Sequence, residues 1–151
     1  MKKKHELFFF FAINDAATFK SKLQSDIHGL ITTTTQLLSV STQPITAVNI
    51  AFSQVGLNAL GVTDNLGDSL FASGQEVDAT PLGDPGTTNW VSAFLNKGIH
   101  GVLLLASDTT DNIDAELANI QSILGSSITE VYRLAGAARP GAEEGHERKL
   151  W

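Results

Sequence analysis

A chain of 151 residues has room for one domain built on one ordinary hydrophobic core. Its 42% apolar and 17% charged residues are ordinary for a globular protein, and with no cysteine it has no disulfide, no thiol nucleophile and no Cys-type zinc site. Ten basic against sixteen acidic side chains leave a net charge of −6, and from Leu23 to Tyr132 Lys97 is the only Lys or Arg set against eleven carboxylates, which excludes a nucleic-acid partner held by its phosphates.

No apolar run approaches the ~20 residues of a membrane-spanning helix, so no membrane partner is expected. Lys2 to Lys4 followed by the apolar Leu7 to Ile13 imitates a signal peptide. The run is short and meets Asn14-Asp15 with no small-residue cleavage site. It reads instead as a first strand, aromatic, continuous and covered on both faces. Asn14 or Asp15 then caps a helix predicted over 15–30, whose Ala16, Phe19, Leu23, Ile27, Leu30 and Ile31 share one face. Gly29 weakens that helix, and Thr32 to Thr35 blurs its end.

Pro44 ends what precedes it, and Ile45 to Phe52 reads as the second strand. Ser53 to Lys97 has no strand pattern. Val55, Leu57 and Leu60 suggest a short helix closed by Gly61, and Trp90, Val91, Phe94 and Leu95 another, with Gly- and Pro-marked loops between them. Strand periodicity returns over 98–106, with His100 read as a core histidine on that strand. A helix follows over 110–124, its start crowded by Asp108, Asp111, Asp114 and Glu116 and its end set by Gly125. The last strand is predicted near 127–135. Strand, helix, strand, insertion, strand, helix, strand is the β-α-β-β-α-β order of a ferredoxin-like α+β sandwich, with both helices on one face and a long helical or loop insertion between strands 2 and 3. That domain is expected to occupy residues 1–138, with 139–151 a charged tail.

Few residues suggest chemistry. Gly67-Asp68-Ser69-Leu70 spells the tetrapeptide of GDSL-type serine hydrolases, whose nucleophile needs a strand before it and a histidine base. Gly61 to Leu66 is not strand-like, and Asp26-Ile27-His28 has the wrong spacing for the Asp-x-x-His partner, so Asp68 or Ser69 is better read as a helix cap. His5, His28, His100 and His146 show no zinc-ligand spacing. Glu143, Glu144, His146 and Glu147 form a polar cluster read as solvated loop. Asp108, Asp111 and Asp114 lack the glycine and terminal Glu of a calcium loop. No metal site and no catalytic residue is expected from these patterns.

Longer segments resemble one family. Leu7 to Asn14 (LFFFFAIN), Thr18-Phe19-Lys20, Asn49 to Ser53 (NIAFS), Ala59 to Phe71 (ALGVTDNLGDSLF), Gly98 to Val102 (GIHGV), Leu105 to Asp108 (LASD), Arg139-Pro140-Gly141 and Gly145-His146-Glu147 resemble the N-terminal half of fungal dye-decolorizing (DyP-type) haem peroxidases, in consistent order. The resemblance implies two ferredoxin-like halves of the dimeric α+β barrel type, haem, hydrogen peroxide, and dye or phenolic substrates. It also implies intact relatives that are often secreted.

In that family the Gly-His-Glu stretch leads into a Gly-x-x-Asp-Gly motif carrying the distal acid, and the distal arginine and proximal histidine lie in the second half. Here Arg148-Lys149-Leu150-Trp151 follows Glu147, and Met1 stands immediately ahead of Lys2. The expectation is therefore a truncated product with no family catalytic residue, inactive alone, binding no haem specifically, and prone to self-association through an uncovered sheet face. The alternatives are a catalytically silent ferredoxin-like interaction module and a GDSL-type hydrolase using Ser69.

Overall fold

A computed structural model describes residues 3–39, 41, 43–95 and 98–138. Four strands carry the architecture: β1 (His5–Ile13), β2 (Ala47–Phe52), β3 (Gly101–Ser107) and β4 (Ile128–Ala137). They form one antiparallel sheet in the order β2-β3-β1-β4. The two central strands are therefore the most apolar ones, as their paired backbones require. This is the ferredoxin-like topology expected from the order of the elements.

Strand alternation decides the layers. In β1 the side chains of Leu7, Phe9, Phe11 and Ile13 are buried, and in β3 those of Leu103 and Leu105 have no exposure at all. Each such side chain removed from water contributes about 1.5–3 kcal/mol. The intervening Phe8, Phe10 and Ala12 are only half-buried. The expectation that strand 1 is covered on both faces is thus corrected: its phenylalanines are continuous in sequence but divide between a core face and an outer face.

The core face is closed by α1 (Ala16–Lys22) and by α6 (Thr110–Leu124). Phe19 of α1 and Ile113, Leu117, Ile120 and Leu124 of α6 join the strand residues in one cluster. Both helices lie on one side of the sheet. The Asp15 carboxylate accepts from the backbone N–H groups of Ala17 and Thr18, capping α1. At the far end Gly125 terminates α6 with φ +53°, a conformation glycine adopts without a Cβ clash.

The first helix does not run straight through 15–30. After Lys22 it widens into a π turn over Leu23–Ile27 and then tightens into a 3-10 turn over His28–Leu30. The amide of His28 reaches back to the Leu23 carbonyl, five residues away, while Ile27 stays fully buried. The Thr run beyond it forms α2 (Thr34–Leu38), which was not foreseen. Thr33 and Gln36 make a reciprocal cap: Thr33 Oγ1 accepts from Gln36 N at 3.2 Å, and Gln36 Oε1 accepts from Thr33 N at 2.7 Å. Buried Thr32 exchanges two bonds with Val48, tying this turn to β2.

The remaining boundaries shift by a few residues. β2 starts at Ala47 rather than Ile45, and β3 starts at Gly101 rather than Gly98. A bulge between Phe10 and Phe11 leaves Val131 unpaired in β4, so Phe10 faces Tyr132 while Phe11 faces Glu130. The insertion holds α3 (Gln54–Ala59), α4 (Ser69–Ser73), α5 (Gln75–Asp78) and two 3-10 turns at Thr87–Asn89 and Ser92–Phe94. The second 3-10 turn stands where a helix around Trp90 to Leu95 was expected. Among the described residues no helix is long and apolar enough to cross a membrane. The expected 139–151 tail, with His146, Arg139 and Arg148, lies outside the described residues.

Candidate functional site

The serine tetrapeptide resolves into a cap. Asp68 Oδ1 accepts from Leu70 N at 2.9 Å and from Phe71 N at 3.0 Å, so Asp68 is the N-cap of α4. Gly67 turns the chain with φ +74°, and residues 61–66 form no strand. Ser69 is exposed on the first helical turn, and among the described residues it has no histidine partner. Such a serine has no base to take its proton.

His100 is not on a strand. It sits half-buried just ahead of β3 and works as a joint between three strands. Its Nδ1 accepts from Ile13 N at 3.0 Å, its amide donates to the Phe11 carbonyl at 2.9 Å, and its carbonyl accepts from Ser53 N at 3.1 Å. Gly56 of α3 packs directly on that carbonyl. The strand pattern of 98–106 suggested a core histidine because it reads hydrophobic periodicity, which does not register side-chain to backbone bonding. His5 is half-buried on β1 opposite Ser107 and Ala137, and His28 is exposed in the 3-10 turn.

Among the described residues no three His, Asp or Glu side chains converge as metal ligands. Thr109, not an aspartate, caps α6, and Asp111 lies in its first turn. Asp108 lies just ahead of that cap, and its Oδ1 is buried with no hydrogen-bond partner among the described residues. Asp15 is held by its own cap. Hydrogen bonds from the Thr18 hydroxyl, then the Thr18 and Ala17 amides, hold it below the usual aspartate value.

Two features remain that can engage another molecule. The first is the outer sheet face. Phe8 lies between Leu104 and Leu134, and Phe10 between Val102 and Tyr132. Leu134 is 47% exposed, and Phe8, Phe10, Val102 and Leu104 are half-buried. Phe94 of the second 3-10 turn packs edge to face on Phe10 and on Tyr132, which leaves the part of the face around Phe8, Leu104 and Leu134 as its open apolar area among the described residues. The second is a cavity of about 530 Å³ where the insertion meets one end of that face. Neither feature holds a described histidine: His5 falls on the Leu7 and Phe9 side of β1, His28 lies in the 3-10 turn, and His100 does not line the cavity.

The family model for the "DyP dimeric alpha+beta barrel domain" matches residues 1–140. Over 148 residues the chain is 68% identical to "Peroxidase 2" of Mycetinis scorodonius, covering 97% of this chain and 29% of that protein. It is 69% identical over 147 residues to a dye-decolorizing peroxidase of Mycena epipterygia, covering 97% of this chain and 28% of that protein. The crystal structure of a decolorizing peroxidase from Auricularia auricula-judae superposes with a TM-score of 0.90 at 59% identity, over 96% of this chain and 32% of that one. A structure concerned with asymmetric sulfoxidation by an engineered haem pocket of a dye-decolorizing peroxidase also gives a TM-score of 0.90. The chain therefore spans about three tenths of the length of the curated relatives it matches.

Proposed function

This chain belongs to the dye-decolorizing peroxidase family, as its N-terminal α+β domain, and from that premise we propose that it serves a haem peroxidase as scaffold and not as the source of catalytic groups. Peroxide-dependent oxidation of dyes and phenolic compounds is then the activity of the intact protein. The haem, its axial ligand, the distal acid or base, and the cation that assists O–O cleavage come from sequence beyond the described residues. The observation that carries this reading is the bare outer face of the sheet. Its open apolar part, Phe8 with Leu104 and Leu134, is the surface on which the rest of a peroxidase would pack.

Without that cover the isolated chain is expected to be inactive and to associate with itself through the same face. Haem, large and apolar, would adsorb there weakly, with a broad Soret band unmoved by His100→Ala. The test is a haem titration of the purified 151-residue chain, followed by dye oxidation with hydrogen peroxide. Stoichiometric binding with turnover well above that of free haem would overturn the proposal. Self-association should fall in Phe8→Glu, and a variant that associates as strongly as the parent would place the interface elsewhere.

A further inference from the structure

We propose that the imidazole of His100 is an acid-released clasp that closes the neck of the insertion. It goes beyond the scaffold role, since it uses neither haem nor any residue outside the described chain.

The insertion leaves the sheet after β2 and returns to it just ahead of β3, and its two ends are bonded to each other there. Ser53 N donates to the His100 carbonyl at 3.1 Å, and Ser53 Oγ donates to the Ile99 carbonyl at 2.7 Å. The same Oγ accepts from Gly56 N at 3.1 Å and so caps α3. Two bonds then fasten this neck to β1 at the centre of the sheet. The His100 amide donates to the Phe11 carbonyl at 2.9 Å, and Ile13 N donates to His100 Nδ1 at 3.0 Å. The first joins backbone to backbone and is indifferent to pH. The second is not. A backbone N–H only donates, so Nδ1 must present a lone pair, and the single proton of the neutral ring sits on Nε2.

A proton on Nδ1 sets one donor against another and ends that bond. Ile13 lies in the core, so its amide is then left without a partner in a place water reaches poorly. The fold therefore holds the ring neutral. The clasp is complete above the range in which an imidazole exchanges its proton and is lost as pH falls through it. The elements packed on His100 bring no other group that titrates there. β1 presents Phe11 and Ile13, with His5 and Glu6 at its other end, while α3 reads QVGLNA and β3 reads GVLLLAS. Charges on the surrounding elements are already engaged. Asp15, two residues past Ile13, accepts from the Thr18 hydroxyl, and Glu130, opposite Phe11 in β4, pairs with Arg133. Lys20 of α1 donates to the Leu60 carbonyl at the end of α3. Lys97, three residues before His100 in sequence, lies outside the described residues.

The experiment is nuclear magnetic resonance of the full 151-residue chain labelled with heavy nitrogen, from about pH 8 to about pH 5, with Tm measured over the same range. Expected at the alkaline end is a His100 ring protonated on Nε2 and bare on Nδ1. As the ring gains its second proton, the Ile13 amide resonance should move in the same step. Its hydrogen exchange, corrected for the intrinsic rate, should speed up about 5-fold or more. His100→Asn places Oδ1 where Nδ1 stood, an acceptor that does not titrate. That variant should lack the step at Ile13 and keep roughly 2–6 °C of the Tm that the parent loses over the range. His28→Asn, in the exposed 3-10 turn, should leave the step unchanged. Should His100→Asn fail to fold, the ring tautomer and the Ile13 titration of the parent carry the decision. A proton on Nδ1 at about pH 8, an Ile13 amide indifferent to the ring, or an equal acid loss of Tm in folded His100→Asn would each overturn the proposal. Because the readout involves no haem, failure here leaves the scaffold proposal standing, and peroxidase turnover by the isolated chain would leave this one standing.

Discussion

Replacing Gly56 by alanine tests the joint at His100. On most helices this change stabilises by about 0.4–1 kcal/mol, because alanine restricts the unfolded chain and favours the helix. At Gly56 a Cβ would stand 1.8 Å from the His100 carbonyl oxygen and 2.7 Å from its carbon. Backbone is the obstacle, so relief requires α3 and the β3 lead-in to separate by about 1.5 Å to reach ordinary contact. The carbonyl that moves also accepts from Ser53 N, and the same residue holds Ile13 N through its imidazole. Overpacking costs about 1–3 kcal/mol and each strained hydrogen bond about 1 kcal/mol more, against a helical gain below 1 kcal/mol. The net expectation is a loss of about 2–4 kcal/mol, which lowers Tm by roughly 5–15 °C for a domain of this size. Thermal and urea unfolding followed by circular dichroism measure it. Gly29, in the 3-10 turn, has nothing within 4 Å of an added Cβ, so Gly29→Ala is the control and should be neutral or slightly stabilising. A Gly56→Ala protein as stable as the parent would refute the close-packed joint.

Two further outcomes are expected. Asp15, held below the ordinary aspartate value by Thr18 and Ala17, stabilises α1 fully above that value and loses its contribution as acid protonates the folded carboxylate. Wild type and Asp15→Asn should therefore differ in Tm near neutrality and converge as acid takes the pH down through the lowered value of the folded carboxyl; curves that stay parallel throughout the acid range would contradict the cap electrostatics. Ser69→Ala should leave any ester hydrolysis of the preparation unchanged, since Ser69 opens a helix capped by Asp68, and hydrolysis abolished by that change would reinstate the nucleophile.

Elements set by local periodicity and local chemistry were legible in the sequence: the β-α-β-β-α-β order, the α6 stripe of Ile113, Leu117, Ile120 and Leu124, the caps at Asp15 and Asp68, and the stop at Gly125. Each depends on residues a few positions apart, so the information sits in one stretch of chain. The cap at Thr33 was equally legible, as Thr-x-x-Gln, but Thr34 and Thr35 disguised it. Tertiary structure decided what depends on distant partners. Which phenylalanines of β1 face the helices follows from sheet register, including the bulge that sets Phe11 against Glu130. His100 reads as one more apolar-strand residue until Ile13, Phe11 and Ser53 arrive from two other parts of the chain to bond it. The cavity belongs to the same class, because Phe10, Trp90 and Phe94 are brought together only when the insertion folds back over the sheet. Periodicity encodes which face of an element is apolar; only the packed chain determines what that face, or its uncovered opposite, will meet.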